Sequence, residues 1–234
     1  NDKADCYRIQ GQKIFISAGD HDVTENIVHL VLAKIKGSPK GTKGISLFVV
    51  PKRRNDTDGH LVSNDVTSIG LVPKMGQHST PALHLAFGAK DNCFGYLIGE
   101  EGKGLTYMFQ LMNTARLGVG LAGTYIASAA YYASLQYAKE RPQGRALNNK
   151  DINKAQITII HHADVRRMLF SQKAFVEGAL SLVMQCYKYI DEEKIAAEED
   201  KERFSDLLEL LTPVAKTYGA EMGIISVNYG MQVL

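Results

Sequence analysis

Along the first hundred residues the apolar positions fall in short runs, each closed by a turn signal. The spacing predicts strands over residues 7–10, 12–17, 27–35, 44–50, 66–71, 82–87 and 94–98. Gly11, the Ser38-Pro39-Lys40-Gly41 stretch and Asp58-Gly59 supply the turns. Thirteen of the 21 glycines and four of the six prolines lie in residues 1–104, and strands this short and closely spaced predict a sandwich or barrel. After Gly104 the period becomes helical. The run over residues 105–140 contains no proline and would extend roughly 54 Å as one helix. Val165, Met168, Leu169, Gln172, Val176, Ala179, Leu180, Val183 and Cys186 step by three and four, predicting a second helix over about 162–190. Phe204, Leu207, Leu208 and Leu211 begin a third stripe. Pro213 predicts a kink there, or a fresh start with Thr212 as N-cap. Residues 191–202, rich in Asp, Glu, Lys and Ala, read as a solvated loop or frayed helix end. Strands followed by three long helices make an α+β chain: a short-stranded β-barrel or sandwich domain over 1–103, then an antiparallel helical bundle over 104–234. The seam between the two is a natural place for a ligand.

Composition narrows this picture little. The chain has 234 residues, 45% hydrophobic and 22% charged, which describes an ordinary globular protein. A net charge of +2 provides no strong field toward nucleic acid or an anionic membrane, and no apolar stretch is long enough to span a bilayer. Cys6, Cys93 and Cys186 are widely spaced and form no CxxC pair, so no disulfide framework or zinc site is indicated and a reducing, cytoplasmic setting is expected. The sequence opens at Asn1 with no leader and closes at Leu234 inside a helical pattern, which suggests a fragment of a longer protein.

Generic catalytic motifs fail. Residues 99–104, Gly-Glu-Glu-Gly-Lys-Gly, have neither the GxGxxG nor the GxxxxGK[ST] spacing and read as a flexible loop leading into a helix. His161 and His162 are adjacent, so on a helix they point about 100° apart and do not make a metal pair. No GxSxG surrounds Ser17, Ser46 or Ser79. Arg116 and Arg141, on and at the end of the first long helix, are either forks for a phosphate or carboxylate or surface ion-pair partners, and composition does not separate the two readings.

Read in order, five segments carry a resemblance. They are residues 7–19 (Tyr-Arg-Ile-Gln-Gly-Gln-Lys-Ile-Phe-Ile-Ser-Ala-Gly), 74–80 (Lys-Met-Gly-Gln-His-Ser-Thr), 97–104 (Leu-Ile-Gly-Glu-Glu-Gly-Lys-Gly), 113–116 (Asn-Thr-Ala-Arg) and 140–144 (Glu-Arg-Pro-Gln-Gly). In this order and spacing the chain resembles the acyl-CoA dehydrogenase family from its middle β domain into its C-terminal helical domain. The insertion-like residues 145–155 and the acidic stretch 191–202 resemble the long bacterial branch that includes 3-methylmercaptopropionyl-CoA dehydrogenase.

The resemblance implies FAD as cofactor and an acyl-CoA as substrate. A carboxylate would remove the α proton of the thioester while a hydride leaves the β carbon for the flavin, giving the trans-2-enoyl-CoA. Electrons would pass to an electron-transfer flavoprotein. Phe15, Ile16 and Ser17 match the strand against the flavin ring, with Ser17 as a hydroxyl donor and Phe15 where the family often has tryptophan. Arg141 and Gln143 match the segment reaching the FAD of a neighbouring subunit, with Gly144 replacing the usual phenylalanine. His162 matches a His-Gln pair whose glutamine is here Ala163, and Gln232 matches the start of a Gln-x-x-Gly-Gly turn at the cofactor. Asn113 and Arg116 match the acyl-CoA site. These contacts imply a homodimer or homotetramer, and the near-neutral charge, the acidic stretch and the short apolar runs predict no nucleic-acid or membrane partner. By the resemblance, a Thr-Glu-Pro and Gly-Ser-Asp segment would precede Asn1 and the catalytic glutamate would follow Leu234. None of Glu140, Glu177, Glu209 or Glu221 sits in that motif, so no catalytic residue is assigned in this chain, and the isolated fragment would be inactive. The same motifs also suit an acyl-CoA oxidase-like flavoprotein or a non-catalytic, DNA-binding protein on this fold.

Overall fold

Nine strands and three long helices follow one another in a computed structural model that describes residues 6–148, 151 and 153–234. The strands are β1 (Cys6–Arg8), β2 (Gly11–Ser17), β3 (Val28–Lys34), β4 (Ile45–Pro51), β5 (Arg53–Asn55), β6 (Leu61–Ser63), β7 (Val66–Leu71), β8 (Ala82–Phe87) and β9 (Phe94–Ile98). The helices are α1 (Gly104–Glu140), α2 (Ala163–Ile195) and α3 (Glu198–Val233). The chain divides between Gln110 and Leu111 into two compact units.

In the first unit all pairing is antiparallel. One sheet has the order β1-β9-β4-β3, a second β2-β8-β7, and β5-β6 form a separate hairpin. Alternate residues of facing strands meet between the two larger sheets: Val31, Phe48 and Val50 from one, and Val66, Leu83, Leu85 and Phe87 from the other. This is sandwich packing with period-2 sidedness. All seven strands expected from sequence are present. The β5–β6 hairpin was not expected, because Arg53-Arg54-Asn55 has no apolar alternation; the anticipated Asp58-Gly59 turn lies at its tip, where the Gly59 N–H donates to the Asp56 carbonyl over 3.3 Å. Gly11 opens β2 at φ 149°, opposite Phe87, and does not form a separate turn.

A buried amide ties the first unit together. Asn64, fully buried, donates through Nδ2 to the Pro51 carbonyl (2.7 Å) and the Phe94 carbonyl (2.8 Å), while its Oδ1 accepts from the Phe94 N–H (3.0 Å). Its neighbour Asp65, at φ 52°, accepts at Oδ2 from the N–H groups of Lys90 (2.7 Å) and Asn92 (3.2 Å). The β8–β9 connection is thus held by two consecutive side chains.

In the second unit the expected stripe of α2 is the buried one: Met168, Leu169, Gln172, Val176, Ala179, Val183 and Cys186. Two expectations need correction. Residues 191–202, read as a loop or a helix end, are two helix ends with only Ala196 and Ala197 extended between them, so the loop alternative falls. Glu198, Glu199 and Asp200 occupy the first turn of α3 and Lys194 the last turn of α2, so these charges complement the helix dipoles. Pro213 does not restart the third helix, and Thr212 is a buried residue inside α3, not an N-cap. A long, packed helix absorbs the hydrogen bond that Pro213 removes.

α1 and α3 approach through small residues. A Cβ on Gly120 would meet the Ala215 carbonyl oxygen at 2.7 Å and one on Gly123 the Gly219 carbonyl oxygen at 2.8 Å, while Gly230 lies against Ser134 and Ala130. The numbers rise together on both helices, so α1 and α3 run parallel, and α2 returns antiparallel to α3. Within this core Gln172 is fully buried and neither amide atom has a partner among the described residues. An orphaned buried amide costs about 1–3 kcal/mol, so Gln172→Leu is expected to raise the unfolding midpoint; an unchanged or lowered midpoint in urea denaturation would show the amide to be satisfied.

Candidate functional site

The residues singled out by sequence fall in three places. The first is β2. Lys13 pairs with Leu85 and Ile16 with Leu83, so Ile14 and Phe15 together stand opposite His84, a β-bulge. The bulge keeps Lys13 and Ile16 on the inner side, where Lys13 Nζ donates to the Leu32 carbonyl over 2.9 Å and Ile16 packs on the sandwich core. Phe15 takes the other role. Its φ is 61°, a left-handed conformation that a bulky side chain adopts only when its surroundings impose it, and its side chain is 68% exposed. Ser17 follows, exposed, with no hydrogen-bond partner for its hydroxyl among the described residues.

The segment after Ser17 is firmly held. The Ala18 N–H donates to the Pro81 carbonyl over 2.8 Å, Asp20 pairs with Lys52, and Asn26 clamps Arg53 with one bond in each direction, 2.8 and 2.9 Å long. His29 is buried nearby, edge-on to Phe87 with ring centroids 5.6 Å apart. Burial, more than the neighbouring Lys52 charge and against Asp20, lowers its pKa and keeps it neutral at neutral pH. Cys93 is no nucleophile: burial pushes its thiol up to about 11.

The second place is early in α1, where Arg116 donates to Asn113 Oδ1 over 3.3 Å one turn away. The third is at the other end of the same unit. Residues 141–144 and 157–159 zip together through Gln143 N–H to Ile157 carbonyl (2.9 Å), Ile157 N–H to Gly144 carbonyl (3.1 Å) and Ile159 N–H to Arg141 carbonyl (2.9 Å). His162 Nε2 stands 2.6 Å from the Gln143 carbonyl. Ala138, Ile159, Met168, Leu169 and Val233 form the core beneath, which brings Gln232, exposed on the last turn of α3, to the end that carries Arg141, Gln143 and His162. The Arg141 side chain makes no ion pair with a described residue. An open cavity of about 480 Å³ is lined by Leu147, Ile157, His161 and His162. A rise of 1.5 Å per residue separates Arg116 from Arg141 by roughly 38 Å along α1.

Other sequence expectations resolve differently. The 99–104 loop is pinned: the Glu100 N–H donates to the Tyr107 hydroxyl (3.2 Å) and the Gly102 N–H to Ser46 Oγ (2.9 Å), which leaves no cradle for a phosphate. Among the described residues no group of three or more His, Cys, Asp or Glu could hold a metal ion, and no helix is long and apolar enough to cross a membrane. Glu140 accepts from Gln136, and Glu177 pairs with Lys173 over 3.4 Å. The bulge and the strain at Phe15 were not foreseen from sequence; the polar-apolar irregularity of Lys13-Ile14-Phe15-Ile16 is the signal that marks them.

Comparison with known proteins fits this arrangement. The sequence pattern described as "Acyl-CoA dehydrogenase, C-terminal domain" matches residues 102–234. The chain is 41% identical to butyryl-CoA dehydrogenase of Syntrophomonas wolfei, over 100% of this chain and 39% of that protein. It is 38% identical to 3-methylmercaptopropionyl-CoA dehydrogenase of Ruegeria pomeroyi, over 97% of this chain and 38% of that protein. The chain therefore spans under two-fifths of the length of these relatives. Among solved structures, Caenorhabditis elegans ACDH-11 in complex with C11-CoA matches with a TM-score of 0.78 at 23% identity, over 100% of this chain and 36% of that one. A Bacillus anthracis acyl-CoA dehydrogenase complexed with FAD matches with a TM-score of 0.70 at 22% identity, over 100% of this chain and 36% of that one.

Proposed function

Because the chain belongs to the acyl-CoA dehydrogenase family, we propose that the protein carrying it is an FAD-dependent enzyme that oxidises an acyl-CoA thioester to the trans-2-enoyl-CoA and passes the electrons to an electron-transfer flavoprotein. In this reading the chain supplies a middle β domain over 1–103 and a helical domain over 104–234, and none of its residues is assigned as the carboxylate base. The observation that carries this reading is the β2 bulge: an aromatic side chain held exposed at φ 61°, two residues before an unpartnered hydroxyl. Backbone strain of this kind costs about 1–3 kcal/mol and persists where it presents a side chain to a ligand.

The residues suit a flavin. Bound FAD would supply the hydride acceptor. Phe15 would offer an apolar face to the planar ring and exclude water from it, and the Ser17 hydroxyl would donate a hydrogen bond to it. Arg141 has the charge and fork geometry for a pyrophosphate, with Gln143, His162 and Gln232 as polar neighbours. Asn113 and Arg116 would hold the acyl-CoA. Roughly 38 Å of helix separates the acyl-CoA set at Arg116 from the FAD set at Arg141, too far for both to serve one active site, which supports a homodimer or homotetramer in which Arg141 reaches the FAD of a neighbouring copy.

Two variants test the assignments in the full-length protein. Arg141→Ala is expected to weaken FAD retention about ten- to hundredfold through loss of a charge-assisted contact, read as flavin lost on extensive dialysis; full occupancy would remove Arg141 from the site. Ser17→Ala should shift the visible flavin bands and slow reduction by substrate about tenfold while the fold is retained; a wild-type spectrum and rate would rule the hydroxyl out. Reoxidation of the substrate-reduced protein decides the electron acceptor. Slow reaction with O₂ and fast reaction with an electron-transfer flavoprotein is the expected result, and the reverse would make it an oxidase.

A further inference from the structure

β8 is the middle strand of its sheet, and both of its neighbours bulge at the same level. On one side Ile14 and Phe15 of β2 stand against the single residue His84. On the other, Ser68 pairs with Leu85 and Gly70 with His84, which leaves Ile69 of β7 as the extra residue. Ile14, Phe15 and Ile69 are all exposed. His84 stands between the two bulges, half-buried.

Strand pairing fixes which way these residues face. Leu83, Leu85 and Phe87 point into the sandwich core, so Ala82, His84 and Ala86 face outward. Gln12 pairs with Ala86 and Ser17 with Ala82, which puts Gln12, His84 and the Ser17 hydroxyl on that one outward face, with the bulge between Gln12 and Ser17. There His84 Nε2 lies 3.0 Å from Gln12 Oε1, a bond that runs from β8 to β2 just ahead of the bulge. Because Oε1 only accepts, Nε2 carries the proton and donates. β7 puts no side chain beside the ring, since the residue opposite is Gly70, where a Cβ would lie 3.5 Å from His84 Cβ.

The cross-strand bond selects a register. Without the bulge, the pairing of Ile16 with Leu83 would continue as Phe15 with His84, Ile14 with Leu85, Lys13 with Ala86 and Gln12 with Phe87. Phe15 would then relax from φ 61° into the ladder, and Gln12 would turn toward the core. The bond to His84 exists only while Gln12 faces outward, so it opposes that slip from the outer face, as the Lys13 bond to the Leu32 carbonyl does from the inner one. We propose that His84, acting through Gln12, is a positioning residue of the flavin site: it holds β2 in the bulged register that presents Phe15 and Ser17 to the ring. The flavin rests on the acyl-CoA dehydrogenase reading above; the register lock rests on the strand pairing alone.

The test compares His84→Val, Gln12→Leu, the double variant and His84→Gln in the full-length protein by hydrogen–deuterium exchange and visible absorbance. Valine suits a strand, and circular dichroism checks that each variant folds. In His84→Val the amides of residues 13–17 are expected to exchange about fivefold faster, the size of one lost hydrogen bond, while those of β3 keep wild-type rates and the flavin bands shift. Gln12→Leu and the double variant should give the same change, since all three break one bond. His84→Gln, whose amide N–H can take the place of Nε2, restores both readouts. Wild-type exchange at residues 13–17 in His84→Val, faster exchange spread equally into β3, or failure of His84→Gln to rescue would overturn the proposal. The two readings fail separately. Flavin that an acyl-CoA still reduces, with bands unmoved by His84→Val, would sink the positioning role alone; a colourless protein would sink the dehydrogenase, and the exchange rates would then decide the register lock by themselves.

Discussion

Replacing Asn64 with Leu is expected to cost about 3–5 kcal/mol of stability, a large share of the about 5–15 kcal/mol that holds a domain folded. The change is nearly isosteric, so the loss is chemical. It leaves the carbonyls of Pro51 and Phe94 and the N–H of Phe94 buried without the partner that Asn64 provides at 2.7, 2.8 and 3.0 Å. Asn64→Asp separates donor from shape. Its carboxylate still accepts from the Phe94 N–H but faces two carbonyls as an anion, so its folded pKa should lie above the unfolded value of about 3.9. Stability of this variant is then best below that pH and falls as pH rises through the raised value. Urea denaturation at two pH values measures both effects. A midpoint near wild type for Asn64→Leu would mean that the β8–β9 connection does not depend on this side chain.

Gly219→Val should be comparably damaging in the helical unit. A Cβ there falls well inside contact distance of the Gly120 backbone carbonyl oxygen and within 3.1 Å of Thr124 Oγ1, and backbone on two packed helices cannot yield cheaply. Helix propensity alone would favour the change by a few tenths of a kcal/mol; overpacking of about 3 kcal/mol overrides it. The expected result is a fall in thermal midpoint of roughly 10–20 °C. Gly118→Ala is the matched contrast, because nothing lies within 4 Å of a Cβ at Gly118, and it should be stabilising by up to about 1 kcal/mol. Similar behaviour of both variants would show that α1 and α3 are not in backbone contact.

These effects also mark what was legible in the sequence. Strand positions were readable wherever one face is buried, as in Val28–Lys34 and Ala82–Phe87, because burial enforces alternation or an apolar run. The Arg53–Asn55 strand was not, since its pairing comes from backbone bonds with no apolar code. The acidic stretch left loop and helix end undecided because composition reports solvation, whereas Glu198, Glu199 and Asp200 sit in the first turn of α3, where the helix dipole favours them. At the candidate site the segment 15–17 was legible by resemblance; the left-handed Phe15 was not, because no local preference of phenylalanine selects it. The glycine contacts of α1 with α3 depend on which helix each glycine faces, a tertiary fact.

The central claim, that the β2 bulge presents Phe15 and Ser17 to a flavin serving acyl-CoA oxidation, is tested most directly by one absorbance measurement. The full-length protein is purified and its visible spectrum recorded anaerobically before and after butyryl-CoA is added. Flavin bands that bleach on addition are the predicted result. A colourless protein, or flavin bands that persist through short, medium and long acyl-CoA esters, would contradict it.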